Sequence, residues 1–170
     1  SDVCSSDLSV LQRLMSTPVS LTMPARGLYA ITDYRHLTTR QLLEKTGQIL
    51  EAGAALLQYR NKNSDRTLQL EQAGSINKLC AQYRVPLIIN DDPELARACG
   101  AAGVHLGALD MDCRQARAEL GPGSIIGVSC YNSMERALAA EQAGASYLAL
   151  GAFYPSPTKT DAVRAQPQLI

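Results

Sequence analysis

The segment EAGAALLQYR, residues 51–60, decides how this chain reads. A helix ends at Gly53, an aliphatic run follows with no polar alternation, and the run closes on Gln58 and Arg60. Glycine just past a helix supplies the left-handed turn that stops it. A strand apolar on both faces belongs to a parallel sheet covered by helices. The same junction returns as AAGVHLG (101–107) and QAGASYLA (142–149), so one β/α unit is used repeatedly.

Outward from these junctions, six strands are expected: GLYAIT (27–32), ALLQYR (55–60), PLIIND (86–91), GVHLG (103–107), IIGVSC (125–130) and SYLALG (146–151). Amphipathic stretches separate them: one ending at Gly53, one over 68–84, a short one with Pro93 in its first turn, and two near 113–120 and 133–143. Strand, helix and short turn in alternation indicate a (β/α)8 barrel, with an open doubly wound sheet fitting less well. A closed barrel has eight strands and needs about 200 residues or more. The expectation is therefore an α/β chain, a (β/α)8 TIM barrel truncated after strand six. Its domain would span 26–170, and its two unpaired outer strands would invite a homo-oligomer. Residues 1–25 lack the charged start and continuous apolar run of an export signal. They are expected to be a leader foreign to the domain, with Met15 or Met23 as the true start.

Composition narrows the function. The 170 residues are 46% hydrophobic, and 16 Lys plus Arg balance 16 Asp plus Glu. A nucleic-acid surface requires a cationic excess, so nucleic acid and membrane are not expected partners, and a local basic cluster would serve a small anion. The cysteines, Cys4, Cys80, Cys99, Cys113 and Cys130, are odd in number and contain no CxxC pair. They are expected to be reduced thiols in a cytoplasmic protein. His36 and His105 are isolated from any metal-binding helix pattern, and His105 reads as an interior residue with satisfied ring nitrogens.

Sites in parallel β/α folds form at the carboxyl ends of strands, and polar residues gather there in this sequence. If 58–62 stays extended, Gln58, Arg60 and Lys62 point one way while Tyr59 and Asn61 point the other. Strand three ends in Asn90, Asp91 and Asp92, strand four leads to Asp110, strand five to Ser129, and strand six to Ser156, Thr158 and Lys159. Asp92, just before Pro93, reads as a helix N-cap. Asp110 reads either as a cap or as a site carboxylate, Ser129 also as a turn residue, and 156–159 also as a plain loop. Taken together, Asp91 and Asp110 suit Mg²⁺, which takes few protein oxygens and leaves room for phosphates. Arg60, Lys62 and Lys159 suit the phosphate anion, and a diphosphate fits the set.

The ordered strings GLYAITD, LLQYRNK, LIINDD, GVHLGALD, IIGVSC and ALGAFYPSPTK, spread from Gly27 to the C-terminus, resemble the thiamine-phosphate synthase family. The resemblance implies a transferase on a (β/α)8 barrel. It would join hydroxymethylpyrimidine diphosphate to a thiazole phosphate, giving thiamine phosphate and pyrophosphate. Carried over, Gln58, Tyr59, Arg60, Asn61, Lys62, Asn90, Ser129 and Lys159 would contact the pyrimidine diphosphate. Asp91 and Asp110 would bind Mg²⁺, and Ser156, Pro157 and Thr158 would touch the thiazole phosphate. The catalytic cations would be Arg60, Lys62 and Lys159. The family's reaction is dissociative, which agrees with a chain offering no Ser/His/Asp or Cys/His constellation. Two departures stand out: Ser156 replaces the first threonine of a TxT pattern, and Ala108 replaces a common glutamine. The groups that strands seven and eight would bring to the thiazole phosphate are missing, so activity of the 170-residue chain alone is doubtful. A non-synthesising regulatory or ligand-binding barrel is the alternative. A nucleotide-binding module is disfavoured, because TDYRHLT (32–38) after strand one has no glycine-rich loop.

Overall fold

The computed structural model describes residues 22–32, 37–62, 65–154, 164–166 and 168. Strands and helices alternate as β1 (Tyr29–Ile31), α1 (Thr39–Glu51), β2 (Leu56–Tyr59), α2 (Arg66–Tyr83), β3 (Leu87–Asn90), α3 (Pro93–Cys99), β4 (Gly103–Leu106), α4 (Cys113–Leu120), β5 (Ile125–Tyr131), α5 (Met134–Gln142) and β6 (Tyr147–Leu150). The six strands form one sheet in sequential order, every neighbouring pair parallel. A doubly wound sheet reverses direction beside its first strand, so the strand order removes that alternative. The sheet also curls. Its outermost strands, β1 and β6, face each other across the interior closely enough for the Tyr29 and Tyr147 hydroxyls to share a hydrogen bond of 2.8 Å. The result is a half-barrel.

Period-two alternation sorts the strand residues between its two faces. Leu57, Tyr59, Leu87 and Ile89 point outward and pack on α1, α2 and α3 through Leu42, Ile76 and Leu95. Val104, Leu106, Ile126 and Val128 do the same on α4 and α5 through Ala116 and Ala137. Leu56, Ile88 and Ile125 point inward and close the floor with Tyr29, Tyr147 and Met23. Leu57, Leu87 and Ile126 are wholly buried, and each such side chain contributes about 1.5–3 kcal/mol. Met23, within the stretch expected to be a leader, packs on this floor.

Each helix among the described residues starts on a capping side chain. Thr38 and Gln41 form a reciprocal capping box on α1, Asp65 caps α2, Asp92 caps α3, Asp112 caps α4 and Ser133 caps α5. Each satisfies an amide that the helix itself leaves free. Asp92 thus has the role its position before Pro93 suggested. Asp110 does not cap α4, because Asp112 does, and its carboxylate is left for the strand ends.

The three glycine junctions of the sequence turn out to be of two kinds. Gly53 and Gly144 follow helices with φ of 89° and 86°, as left-handed stops. Gly103 is instead the first residue of β4, where an added Cβ would stand 1.7 Å from the Ile125 carbonyl oxygen; Gly100, at φ 69°, is the cap of α3. Close strand approach, not chain reversal, requires glycine at 103. No helix among the described residues is long and apolar enough to cross a membrane.

Candidate active site

The carboxyl ends of the strands surround a cavity of about 770 Å³ lined by Gln58, Arg60, Lys62, Asn90, Asp91, His105, Asp110 and Ser129, among others. The alternation in β2 decides who reaches it. Gln58, Arg60 and Lys62 line the cavity, while the Tyr59 hydroxyl donates to Gln72 Oε1 of α2 at 2.8 Å and Asn61 Nδ2 donates to the same oxygen at 3.1 Å. Tyr59 and Asn61, expected among the substrate contacts, are therefore buried against the helix layer. A one-residue step along a strand turns a side chain through the sheet, and a contiguous run such as 58–62 cannot all face one cavity. Ser156, Pro157, Thr158 and Lys159 lie outside the described residues, as does His36.

Asp91 and Asp110 meet. Their carboxyls lie close enough to shift one another's titration, and Lys62 Nζ stands 2.8 Å from Asp91 Oδ2. Asp91, just past the end of β3, is itself in left-handed conformation (φ 64°), with its amide donating to the His105 carbonyl at 2.8 Å. Asp110 is held by the Gly107 amide, 2.5 Å from its Oδ2. Burial raises both carboxyls, but for Asp91 the Lys62 ammonium and the hydrogen bonds from Asp110 and Asn90 prevail, and its pKa falls below the ordinary value. For Asp110 burial acts together with the neighbouring Asp91 charge, against the Gly107 amide and Lys62, and its pKa rises. The two carboxyls therefore shift in opposite directions, Asp91 down beside the Lys62 ammonium and Asp110 up beside Asp91, as neighbouring like charges do. Among the described residues no three His, Cys, Asp or Glu side chains converge. A two-carboxylate pair is the donor set that suits Mg²⁺ completed by water and phosphate oxygens, and the residues fit that ion.

The cavity wall holds a polar chain that strand-end reading missed. Gln58 Nε2 donates to the Tyr29 hydroxyl at 2.7 Å, Tyr29 shares its hydrogen bond with Tyr147, Tyr147 with His105 Nδ1 at 2.9 Å, and His105 Nε2 with Ser129 Oγ at 2.9 Å. The His105 ring stacks on Tyr147, and Tyr29 meets Tyr147 edge-on. Burial outweighs these hydrogen bonds for Tyr29, whose pKa is pushed up to about 12, and pushes Tyr147 higher still with the help of Tyr29. The signal was present: a polar or aromatic residue at an inward position of β1, β2, β4, β5 and β6, strands that are otherwise largely aliphatic. Arg60 stands apart from this chain, and among the described residues its guanidinium meets no carboxylate, so its donors are available to an anion.

The family model described as Thiamine monophosphate synthase matches residues 28–170. The chain belongs to that family. A thiamine-phosphate synthase of Xylella fastidiosa strain Temecula1 is 50% identical over 96% of this chain and 68% of its own length. One from Nitrosococcus oceani is 48% identical over 85% of this chain and 67% of its own. A solved structure, thiamine phosphate pyrophosphorylase from Pyrococcus furiosus, superposes with a TM-score of 0.70 at 35% identity, covering 85% of this chain and 65% of that one. The chain thus spans about two thirds of the length of the relatives it matches.

Family membership gives the strand-end residues a common setting. Of the residues expected in the site, the half-barrel brings Gln58, Arg60, Lys62, Asn90, Asp91, Asp110 and Ser129 to one cavity. The Xylella relative's alignment takes in 96% of the chain. Residues 26–170 are only 145 of 170, so the likeness extends into the stretch expected to be foreign to the domain.

Proposed function

We propose that this chain carries the diphosphate half of a thiamine-phosphate synthase site, in which its six strands are the first six of a (β/α)8 barrel. The reaction joins hydroxymethylpyrimidine diphosphate to thiazole phosphate. The carbon–oxygen bond to the diphosphate breaks, the thiazole nitrogen attacks the pyrimidinylmethyl carbon, and pyrophosphate leaves. The observation that carries this reading is the convergence of a cation-ready carboxyl pair, Asp91 and Asp110, with Arg60 and Lys62 at the mouth of one cavity.

Bond breaking of this type needs no side-chain nucleophile and needs positive charge fixed where negative charge gathers. Arg60 offers planar, two-pronged donors to the departing diphosphate, and Lys62 offers a compact charge that Asp91 holds in place until an anion arrives. Lys159, which follows β6 in the sequence, would add a third cation. When bound by Asp91 and Asp110, Mg²⁺ would neutralise diphosphate oxygens. Gln58, tethered through Tyr29, would present the rest of its amide to the pyrimidine ring, and His105, hydrogen-bonded to Tyr147 of the floor, would line the ring's pocket. The free thiols of Cys80, Cys99, Cys113 and Cys130 suit a cytoplasmic setting.

The test separates the half-site from turnover. Calorimetry should show Mg²⁺-dependent binding of inorganic pyrophosphate to this chain, lost in Arg60→Ala. In a chain extended by the last two β/α units of a relative, Arg60→Ala should slow pyrophosphate release by about 10² to 10³. No Mg²⁺-dependent pyrophosphate binding, or unchanged kinetics in the extended variant, would refute the reading.

A further inference from the structure

Arg136 belongs to the first turn of α5, in the outer layer, yet its guanidinium reaches the strand ends. Its Nε donates to the Ser129 carbonyl at 2.7 Å and its Nη2 to the Gly107 carbonyl at 2.9 Å. The Tyr131 ring lies 6.0 Å from its central carbon. The two carbonyls come from neighbouring strands. Ser129 precedes a register shift in β5, where two residues oppose one on β6 and the ladder is interrupted. Gly107 opens the loop that ends at Asp110. Its amide holds Asp110 Oδ2 at 2.5 Å, and an added Cβ there would stand 2.7 Å from that oxygen. One residue therefore links the two sides: its amide carries the carboxylate, and its carbonyl carries Arg136.

We propose that Arg136 is a positioning residue for the cation site, clamping the ends of β4 and β5 so that the loop 107–110 delivers Asp110 to Asp91. The inference rests on the reading of Asp91 and Asp110 as the cation pair. A planar guanidinium presents two donors at a fixed spacing and can span two carbonyls; an ammonium is a point charge that serves one of them well. Groups that orient a metal ligand without touching the ion commonly change metal affinity by about 10- to 100-fold when removed.

The molecule supplies its own control. Arg117 of α4 also spends its charge on carbonyls, those of Gly121, Pro122, Ser124 and Gly144, but at the amino-terminal ends of β5 and β6. Removing it takes a similar clamp from the opposite end of the sheet. Arg136→Ala and Arg117→Ala should both lower the melting temperature, and only the first should alter the cation site.

Mn²⁺ is the probe, its free concentration read by electron paramagnetic resonance during titration of the whole chain, with Asp110→Asn tying the signal to the pair. Arg136→Ala should weaken Mn²⁺ binding by about 10- to 100-fold, with Arg136→Lys between it and the unmodified chain, while Arg117→Ala stays within about twofold. Wild-type affinity in Arg136→Ala, or an equal loss in Arg117→Ala, would overturn the inference and leave the cation pair standing. If Arg136→Ala does not fold, Arg136→Lys decides, and undiminished affinity there overturns the inference. Failure of the unmodified chain to bind Mn²⁺, or binding that survives Asp110→Asn, would overturn the cation reading and this inference with it.

Discussion

Gly127→Ala, a change of one methyl group in the middle of β5, should disable the inner wall of the site. An added Cβ would lie 2.0 Å from Cζ of Tyr147, 2.3 Å from its hydroxyl and 2.5 Å from Cε1. Ordinary contact begins at 3.4 Å, so the ring must retreat by about 1.4 Å. A ring tip is usually free to do so, but this one is tethered. Its hydroxyl is held at 2.8 Å by Tyr29 and 2.9 Å by His105, and both rings pack against it. Overpacking costs about 1–3 kcal/mol, and two lost hydrogen bonds cost about 0.5–1.5 kcal/mol each, so the sum is about 2–6 kcal/mol. Urea unfolding followed by circular dichroism measures it, and a double-mutant cycle locates it. In a Tyr147→Ala background the same Gly127→Ala change should cost less than about 0.5 kcal/mol, because nothing remains for the methyl to strike. A cost that stays the same in both backgrounds, or a wild-type-background cost near zero, would show that the ring does not occupy the space beside Gly127.

Two further outcomes follow from the same geometry. Tyr29 has a folded pKa of about 12 against 10 for the free side chain. The unfolded chain therefore loses its proton first as pH rises, and stability present below about pH 10 is lost as pH climbs to about 12, by about 3 kcal/mol. Urea midpoints should fall over that window and fall less in Tyr29→Phe; a parallel decline in the two proteins would contradict the burial of this hydroxyl. Asp92 accepts the Leu95 amide at 2.8 Å and pairs with the half-exposed Arg66. Asp92→Ala should cost about 0.5–2 kcal/mol, nearly all of it the cap, whereas Asp92→Asn keeps the cap and should be close to neutral. Neither should change Mn²⁺ affinity, and loss of Mn²⁺ binding in Asp92→Asn would move the cation site to the wrong aspartate.

The repeat of strand, helix and glycine made the parallel β/α order legible, because period-two and period-3.6 patterns act over a few residues. The alternation in LLQYRNK likewise told Arg60 and Lys62 apart from Tyr59 and Asn61. Family likeness alone grouped these four with Gln58, and the buried bonds of Tyr59 and Asn61 to Gln72 agree with the alternation. Among the aspartates, the proximity of Pro93 marked Asp92 as a cap. Nothing local distinguished Asp110 from Asp112, which lie two residues apart in the same loop. That choice depends on where the Gly107 amide points, and hence on how β4 ends.

The sequence by itself determined which segments become strands and helices, that the strands run parallel, and which inward positions carry polar groups. These are properties of short stretches and of side-chain periodicity. Only the tertiary structure decided that the sheet curls until Tyr29 and Tyr147 touch, that Asp91 and Asp110 come together beside Lys62, and that Arg136 reaches the strand ends from the outer layer. Those contacts join residues from 7 to 118 positions apart. Sheet twist and core packing set such distances, and no local pattern encodes them.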